Sequence, residues 1–263
     1  MKNLSLIKKR KIKFLVGDIG NTFIKISLLN YKLKILKSYT IETSEIYKKK
    51  KLISFTSKIF VKNLDKKILF SSVVPSSFKI FKSYFKKNGY KLFEIKDLKI
   101  NKIIKLKVDN YRQVGSDRIA NAIGSYYIHK KNCLVIDFGT ATTFDVIKKP
   151  GIYDGGVIAP GVKSSINKLN ELTALLPLID LKSTTRTYGK NTNDALNSGF
   201  LWGYQGLINN IIKKIISSGK IKYKVILTGG YANLFKHLII NKPLIDQNIT
   251  IKGVIKVYKD LIL

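Results

Sequence analysis

Residues 13–29 read KFLVGDIGNTFIKISLL, and a similar pattern returns at residues 134–147 as LVIDFGTATTFDVI. Each stretch is an apolar, β-rich run, followed by Asp-x-Gly with small hydroxyl or amide residues, and then a second β-rich run. A strand, a tight polar turn and another strand form the pattern of a β-hairpin. Because the pattern occurs twice, the sequence predicts a duplicated α/β unit.

The segments around the two hairpins predict further strands and helices. From apolar runs, helical periodicity and flanking Gly and Pro, we expect strands at 35–41, 67–74, 90–95 and 223–227 and helices at 44–60, 76–88, 116–130 and 193–217. The segment GGVIAPG at 155–161 predicts a turn.

The chain is long enough for two lobes, and no Pro-, Gly- or Ser-rich linker separates its halves. We therefore expect an α/β protein in which each lobe is a mixed β-sheet flanked by helices, with a cleft between the lobes. The predicted boundaries are a basic extension at 1–12, an N-terminal lobe at 13–114 and a C-terminal lobe at 115–263.

The turn of the first hairpin, residues 18–22, has the composition of a phosphate-binding turn. Gly20 allows the backbone to turn tightly and to approach a ligand, and backbone N–H groups with the Thr22 hydroxyl can hold phosphate oxygens. The carboxylate of Asp18 can hold Mg²⁺, which prefers oxygen ligands. Lys25 can add positive charge. An ordinary hairpin turn explains this pentapeptide equally well.

Two more glycine turns favour the phosphate interpretation. Residues 137–143 repeat the composition of the first turn, and Thr228-Gly229-Gly230 follows a buried strand and precedes a predicted helix. The N-terminus of a helix attracts negative charge. Three such turns, each at the end of a strand, predict a nucleotide site.

The segment Gly115-Ser116-Asp117-Arg118 carries the candidate acid–base group. Ser116 or Asp117 can simply cap the helix that begins here. Asp117 can also accept the proton of a substrate hydroxyl, and Arg118 can hold a substrate carboxylate with its planar fork. Together they suit phosphoryl transfer to a small anionic alcohol.

Composition bounds the class of protein. Forty-nine Lys and Arg against 16 Asp and Glu give a net charge of +33, and such a field attracts nucleic acid. The lysines are spread along the whole chain together with Ile, Asn and Tyr, which favours a compositional bias over a nucleic-acid groove. The single cysteine, Cys133, excludes an intrachain disulfide. With no predicted signal peptide or membrane-spanning segment, we expect a cytoplasmic protein.

The ordered set of motifs resembles the type III pantothenate kinases. The set comprises DIGNT, GSDRIANA at 115–122, DFGTATTFD at 137–145, GGVIAPG, the spacing of Gly189, Thr192, Ala195 and Gly199, ILTGG at 226–230, and a closing strand and helix in NITIKGVIKVY. The resemblance implies the actin-like ATPase fold, built from duplicated ribonuclease-H-like units. It also implies a homodimer and transfer of the ATP γ-phosphate to the primary hydroxyl of pantothenate, the first step of coenzyme A biosynthesis.

The resemblance also implies roles for particular residues. Thr140 contacts ATP, Asp137 binds a monovalent cation such as K⁺ or NH₄⁺, and Mg²⁺ accompanies ATP. Pantothenate is contacted by Gly115, Ser116, Asp117, Arg118 and Thr192, with Asp117 as the catalytic base. The ATP phosphates are lined by Asp18, Ile19, Gly20, Asn21, Thr22, Phe23, Ile24 and Lys25.

The chain departs from the family pattern in front of the GSDR segment. Family members usually have a Tyr seven residues before its Gly and often a Pro between them, where this chain has Val108 and Tyr111. Two alternatives stay open from sequence: another small-molecule kinase of the same fold, and a non-catalytic basic protein that binds nucleic acid.

Overall fold

The computed structural model describes residues 12–219 and 221–263. Its strands are β1 (Ile12–Ile19), β2 (Phe23–Asn30), β3 (Ile35–Glu42), β4 (Lys67–Ser72), β5 (Lys91–Glu94), β6 (Lys105–Leu106), β7 (Cys133–Phe138), β8 (Ala141–Lys148), β9 (Ile152–Pro160), β10 (Lys224–Gly229) and β11 (Leu244–Ile245). Its α-helices are α1 (Lys49–Ser57), α2 (Pro75–Lys87), α3 (Ser116–His129), α4 (Val162–Leu172), α5 (Thr192–Gly219), α6 (Ala232–Phe235) and α7 (Ile249–Leu261). Short 3₁₀ turns lie at 43–47, 95–97, 100–102 and 111–113.

The described chain divides into two compact units. The first holds the residues up to Ile128 together with Gly151–Tyr153 and Asn248–Leu263, and the second holds His129–Pro150 and Asp154–Gln247. This division differs from a boundary after residue 114, because most of α3 and all of α7 group with the first unit. The predicted basic extension falls almost entirely on residues 1–11, which lie outside the described residues, and Ile12 already belongs to β1.

The sheet of the first unit has the order β3-β2-β1-β4-β5. The three strands β1, β2 and β3 pair antiparallel in sequence order, whereas β4 runs parallel to β1 and β5 runs parallel to β4. The centre of the sheet is apolar: Leu15, Ile24 and Ile68 are fully buried. The rings of Phe70, Phe81 and Phe85 pack edge to face below it, with centroids 5.5–5.8 Å apart.

The last helix completes the first unit by packing on α3 and on the sheet. A Cβ added to Gly253 would lie 1.8 Å from the Ala120 carbonyl oxygen, and one added to Gly124 would lie 2.4 Å from the Ile249 carbonyl oxygen. The two helices therefore touch backbone to backbone. The Tyr258 hydroxyl donates to the Lys67 carbonyl at 2.9 Å, which ties the far end of α7 to β4.

The sheet of the second unit repeats the same topology. Its order is β11-β10-β7-β8-β9, with β7 and β8 antiparallel, β10 parallel to β7 and β11 parallel to β10. In each unit, two parallel strands thus follow one another on the side of the first hairpin strand that faces away from its hairpin partner. The predicted duplication is confirmed. The first two residues of β9, Ile152 and Tyr153, belong to the first unit and pair there with β6.

Three sequence predictions about elements are wrong in detail. GGVIAPG is not a turn, because residues up to Pro160 lie in β9. The helix predicted at 44–60 is broken at Lys48, whose extended backbone (φ −86°, ψ 109°) separates a 3₁₀ turn from α1. The predicted closing strand in NITIKGVIKVY is helical from Ile249, and β11 lies before that segment. Within the described ranges, no helix is both long enough and apolar enough to cross a bilayer.

Candidate active site

The first polar turn lies at the edge of the five-stranded sheet, between β1 and β2. The turn is closed by the Gly20 N–H, which donates to the Phe23 carbonyl at 3.0 Å. Buried Thr43 braces it, since its hydroxyl donates to the Gly20 carbonyl at 2.7 Å and its N–H donates to the Thr22 carbonyl at 2.9 Å. Asn21, Thr22 and Phe23 are exposed, so the tip of this turn is open to a ligand.

Asp18 and Lys25 face each other across this hairpin. They are directly opposed in the antiparallel register, and opposed residues project from the same face of a sheet. The ammonium of Lys25 donates to the Asn248 side-chain oxygen at 2.7 Å, and Asn248 directly precedes α7. A carboxylate and an ammonium therefore lie side by side at the turn, and Asn248 fixes the direction of the ammonium.

Asp117 lies in the first turn of α3, in the same unit as the turn at 18–22. Its Oδ1 accepts the Arg118 N–H at 2.7 Å, and a Cβ added to Gly115 would lie 2.5 Å from the same oxygen. Burial raises the pKa of the Asp117 carboxyl, while its bond to Arg118, the Arg118 charge and the Lys96 charge act in the opposite direction. A partly buried carboxylate with a raised pKa suits proton transfer.

Glu94 links the start of α3 to the sheet. Its Oε1 accepts the Ser116 hydroxyl at 2.5 Å and the Ser72 N–H at 3.3 Å. Ser72 is paired with Ile19 in the parallel ladder of β1 and β4. The Glu94 carboxylate thus links the segment 115–118 to the end of β4, which pairs with the end of β1.

Arg118 is the candidate residue for binding a substrate carboxylate, and aromatic side chains lie near it in space and in sequence. The Arg118 guanidinium carbon lies 5.9 Å from the centre of the buried Tyr153 ring, within range of a cation–π contact. Val108 is half-buried and Tyr111 is 54% exposed at the start of a 3₁₀ turn. Tyr111 therefore presents its ring to solvent in the segment that leads to Gly115.

The second unit brings two of the three predicted turns together. The turn after β7 is closed by the Gly139 N–H, which donates to the Ala141 carbonyl at 3.1 Å. The Gly230 N–H donates to the Phe138 carbonyl at 3.0 Å. Gly229 has φ +84°, and a Cβ there would lie 2.6 Å from the Phe138 backbone, so only glycine fits.

Thr140 is exposed at the tip of this second hairpin, and α4 starts against it. A Cβ on Gly161 would lie 2.1 Å from the Thr140 carbonyl oxygen, and the Ser164 hydroxyl donates to that oxygen at 2.8 Å. Asp137 sits at the end of β7 opposite Thr143. Gly161, the last glycine of GGVIAPG, therefore allows α4 to pack closely on this turn.

A cavity of about 300 Å³ lies beside the glycine turn of the second unit. Burial raises the pKa of the Tyr231 hydroxyl, with a smaller effect of Asp180 in the same direction. Small-molecule pockets begin at about this size. The cavity is lined by Lys163, Ile166, Asn167, Leu178, Ile179, Asp180 and Tyr231.

Thr192 is exposed at the first position of α5. The Asn191 side chain accepts the Asp194 N–H at 2.9 Å and thereby caps the helix. Gly189 is required because a Cβ there would lie 2.1 Å from the Ala195 nitrogen. The spacing singled out in the sequence therefore folds the loop at 189–191 tightly onto the start of α5.

No protein-only metal cage is present in residues 12–219 and 221–263, because no three His, Cys, Asp or Glu side chains cluster there. Asp18 and Asp137 each offer carboxylate oxygens at the end of a strand. A single carboxylate fits Mg²⁺ held mainly by substrate phosphates and water.

Sequence reasoning missed three residues that hold this site. Thr43, Glu94 and Asn248 bond to residues 23, 22 and 223 positions away. The local pattern of the sequence contains no signal for such contacts.

We expect the pH dependence of kcat/KM to report the Asp117 carboxyl. A base must be unprotonated, so activity is lost as the pH falls through its pKa, and burial places this loss at higher pH than for an ordinary aspartate. Lys96→Gln removes a charge that lowers this pKa. The acid limb of a steady-state pH profile should then move to higher pH, whereas Lys99→Gln, an exposed control, should leave it in place. An unchanged or lowered limb in Lys96→Gln would count against Asp117 as the titrating group.

Comparison with known proteins agrees with the fold and the motifs. A family model described as type III pantothenate kinase matches residues 14–214. A Pelagibacter ubique (strain HTCC1062) protein named type III pantothenate kinase is 47% identical over 243 residues, 92% of this chain and 97% of that protein. An Endomicrobium trichonymphae protein of the same name is 35% identical over 262 residues, 95% of this chain and 100% of its own length.

Solved structures share the fold at low identity. A Campylobacter jejuni protein assigned to the Baf family of transcriptional activators has a TM-score of 0.59 at 20% identity, over 94% of this chain and 98% of its own. A Listeria monocytogenes protein assigned as an N-acetylmannosamine kinase has a TM-score of 0.54 at 12% identity, over 94% and 99%. The predicted actin-like ATPase fold, with its two ribonuclease-H-like units, is confirmed. The family model and the relatives cover most of the sequence, and the chain belongs to the type III pantothenate kinase family.

Proposed function

We infer that the protein is a kinase that transfers the γ-phosphate of ATP to the primary hydroxyl of pantothenate, giving 4′-phosphopantothenate in coenzyme A biosynthesis. We propose Asp117 as its general base. The observation that carries this assignment is the link from Asp117 through Ser116 and Glu94 to the end of β4, beside the strand that leads into the turn at 18–22. The proposed proton acceptor and the proposed phosphate turn belong to the same compact unit, which supports the assignment.

Residues 18–25 are proposed to line the ATP phosphates. Asn21 and Thr22 are exposed at the tip of the turn, where backbone N–H groups and a hydroxyl suit phosphate oxygens, and Lys25 supplies an ammonium directed by Asn248. Asp18 would hold the Mg²⁺ that accompanies ATP, and the bound ion would neutralise charge on the phosphates. Thr140, exposed at the second hairpin, is proposed as a further ATP contact.

Pantothenate is proposed to bind to Gly115, Ser116, Arg118 and Thr192. The Arg118 guanidinium offers a planar fork for the substrate carboxylate, and its carbon lies 5.9 Å from the centre of the Tyr153 ring. Tyr111 is proposed to supply the aromatic contact that relatives place seven residues before the glycine of GSDR. Its exposed ring supports that role.

The proton step follows from these positions. The primary hydroxyl oxygen forms a bond to the γ-phosphorus while the bond from that phosphorus to the bridging oxygen breaks and ADP leaves. The hydroxyl proton passes to the Asp117 carboxylate. Positioning and electrostatic stabilisation supply most of the rate in such transfers.

Asp137 is proposed to bind a monovalent cation, K⁺ or NH₄⁺. Asp137 lies near the end of β7, opposite Thr143, and its carboxylate supplies oxygen ligands. Oxygen ligands of this kind suit a weakly hydrated monovalent ion. Asp137→Asn should therefore lower the response to K⁺ more than it lowers ATP binding.

A coupled assay of ADP formation tests the function directly. We expect ADP release with pantothenate in K⁺ buffer and much less in Na⁺ buffer. Acetate or a hexose in place of pantothenate should give only the background rate. Equal ADP release without pantothenate would contradict pantothenate as the acceptor. Equal rates in K⁺ and Na⁺ would contradict the proposed cation site but not the acceptor.

The protein is also proposed to form a homodimer through the second unit. Gly199, Gly203 and Gly206 of α5 are exposed, and an added Cβ at any of them meets no atom within 4 Å. Leu175 is 91% exposed, and exposed apolar surface of this kind favours an interface. Sedimentation equilibrium should give twice the 29.8 kDa mass of one chain. A monomer at micromolar concentration would contradict the dimer.

A further inference from the structure

Glu94 is a carboxylate that the proposed chemistry does not use, yet it is mostly enclosed beside the catalytic segment. It is the last residue of β5, and burial is the largest influence on its carboxyl, raising its pKa. A side chain that stays buried and ionisable needs bonding partners to offset its desolvation. Those partners indicate its role.

Each of the partners of Glu94 belongs to a different part of the first unit. Oε1 accepts the Ser116 hydroxyl at 2.5 Å and the Ser72 N–H at 3.3 Å, and Oε2 accepts the Lys96 N–H at 2.6 Å. The carboxylate therefore joins the first turn of α3, the end of β4 and its own 3₁₀ turn. The bond to the Ser116 hydroxyl is short, as bonds to a charged acceptor are.

The position of Asp117 depends on this junction. Ser116 is its immediate neighbour, and the Asp117 carboxylate folds back over Gly115. A Cβ added to Gly115 would also lie 3.4 Å from the Val73 side chain. Val73 donates its N–H to the Ile19 carbonyl at 3.0 Å. Movement of Ser116 away from β4 would therefore move the carboxylate of Asp117 relative to the strand that enters the phosphate turn.

We propose that Glu94 is a positioning residue for catalysis, which holds Ser116 so that Asp117 is aimed at the substrate hydroxyl. The inference rests on the proposed role of Asp117 as the base. It acts on the geometry of Asp117 and not on ATP affinity, because Glu94 contacts the helix start and not the turn at 18–22. A displacement of about 1 Å in a catalytic group costs on the order of 10²-fold in rate.

Kinetics of Glu94→Ala and Glu94→Gln test the proposal in the full-length protein. Glu94→Ala should lower kcat about 10–100-fold, in the range expected for a misplaced group, and should leave KM for ATP unchanged. Glu94→Gln should recover most of kcat, since its amide oxygen still accepts the Ser116 hydroxyl. The exposed neighbour Asp97, replaced by Ala, is the matched control and should keep the parental kcat.

Two double variants separate positioning from general loss of structure. Ser116→Ala removes the same hydrogen bond, so this single change should lower kcat, but it should lower kcat little further when Glu94 is already Ala. In an Asp117→Asn background, Glu94→Ala should likewise add little, because there is no base left to misplace. If Glu94→Ala unfolds at the assay temperature, kcat and KM for ATP of Ser116→Ala and Glu94→Gln provide the test instead.

The outcomes distinguish this proposal from the assignment of the base. The positioning role would be overturned if Glu94→Ala kept full kcat, or if it lowered kcat as much in the Asp117→Asn background as in the parent. Neither outcome would contradict Asp117 as the base. A KM for ATP that rises in proportion to the loss of kcat would also overturn it. Full kcat in Asp117→Asn itself would overturn the base, and the positioning role would fall with it.

Discussion

Asp117→Asn is expected to lower kcat about 10²–10⁴-fold, the usual contribution of a general base. The amide is nearly isosteric with the carboxylate, and its oxygen can still accept the Arg118 N–H that now bonds Oδ1 at 2.7 Å. The start of α3 should therefore keep its geometry, while the group that accepts the proton is lost. Steady-state kinetics with ATP and pantothenate measure the effect, and circular dichroism checks the fold.

The control for this variant is Asp109→Asn. Asp109 is an exposed carboxylate in the segment that leads to Gly115. This substitution changes the net charge by the same amount and should leave kcat within about 2-fold of the parent, because the Asp109 side chain is exposed. Asp117→Asn with unchanged kcat would show that the proton leaves by another route.

Gly253→Ala is expected to destabilise the protein by about 1–3 kcal/mol or more, as overpacking does. An added methyl group would lie 1.8 Å from the Ala120 carbonyl oxygen and 3.0 Å from its Cα. These are backbone atoms of α3 and cannot rotate away. The expected loss exceeds the gain of about 1 kcal/mol that alanine has over glycine inside a helix.

The displacement forced by Gly253→Ala acts on the helix that carries Asp117, so kcat should fall together with the midpoint of denaturation. Urea unfolding monitored by circular dichroism gives the stability change. The control is Lys259→Ala, an exposed site on the same helix α7, which should alter the free energy of unfolding by less than about 0.5 kcal/mol. Equal or higher stability of Gly253→Ala would contradict the close contact between α3 and α7.

The sequence predicted the parts of this fold that depend on neighbouring residues. The two hairpins, α3 and most of α5 follow from apolar runs, polar turns and helical periodicity. The β-branched residues Ile249, Thr250 and Ile251 favour a strand by composition. They form a helix because the packing of Ile249, Ile251 and Val254 into the first unit overrides that preference.

The candidate site divides in the same way. The turn at 18–22 and the segment 115–118 could be found from sequence because each is continuous. Glu94 and Asn248 could not, since each acts on a residue far away along the chain, and only folding joins them. GGVIAPG does not form the predicted turn because residues up to Pro160 continue β9, and Gly161, its last glycine, serves close packing on the second hairpin.

A crystal structure with pantothenate and a non-hydrolysable ATP analogue would show whether Asp117 and the turn at 18–22 meet the two substrates as proposed. We expect a carboxylate oxygen of Asp117 to lie about 2.6–3.2 Å from the primary hydroxyl oxygen of pantothenate, in hydrogen-bond reach, with the phosphates on residues 18–25. A hydroxyl bound beyond reach of Asp117, or phosphates bound away from that turn, would contradict it.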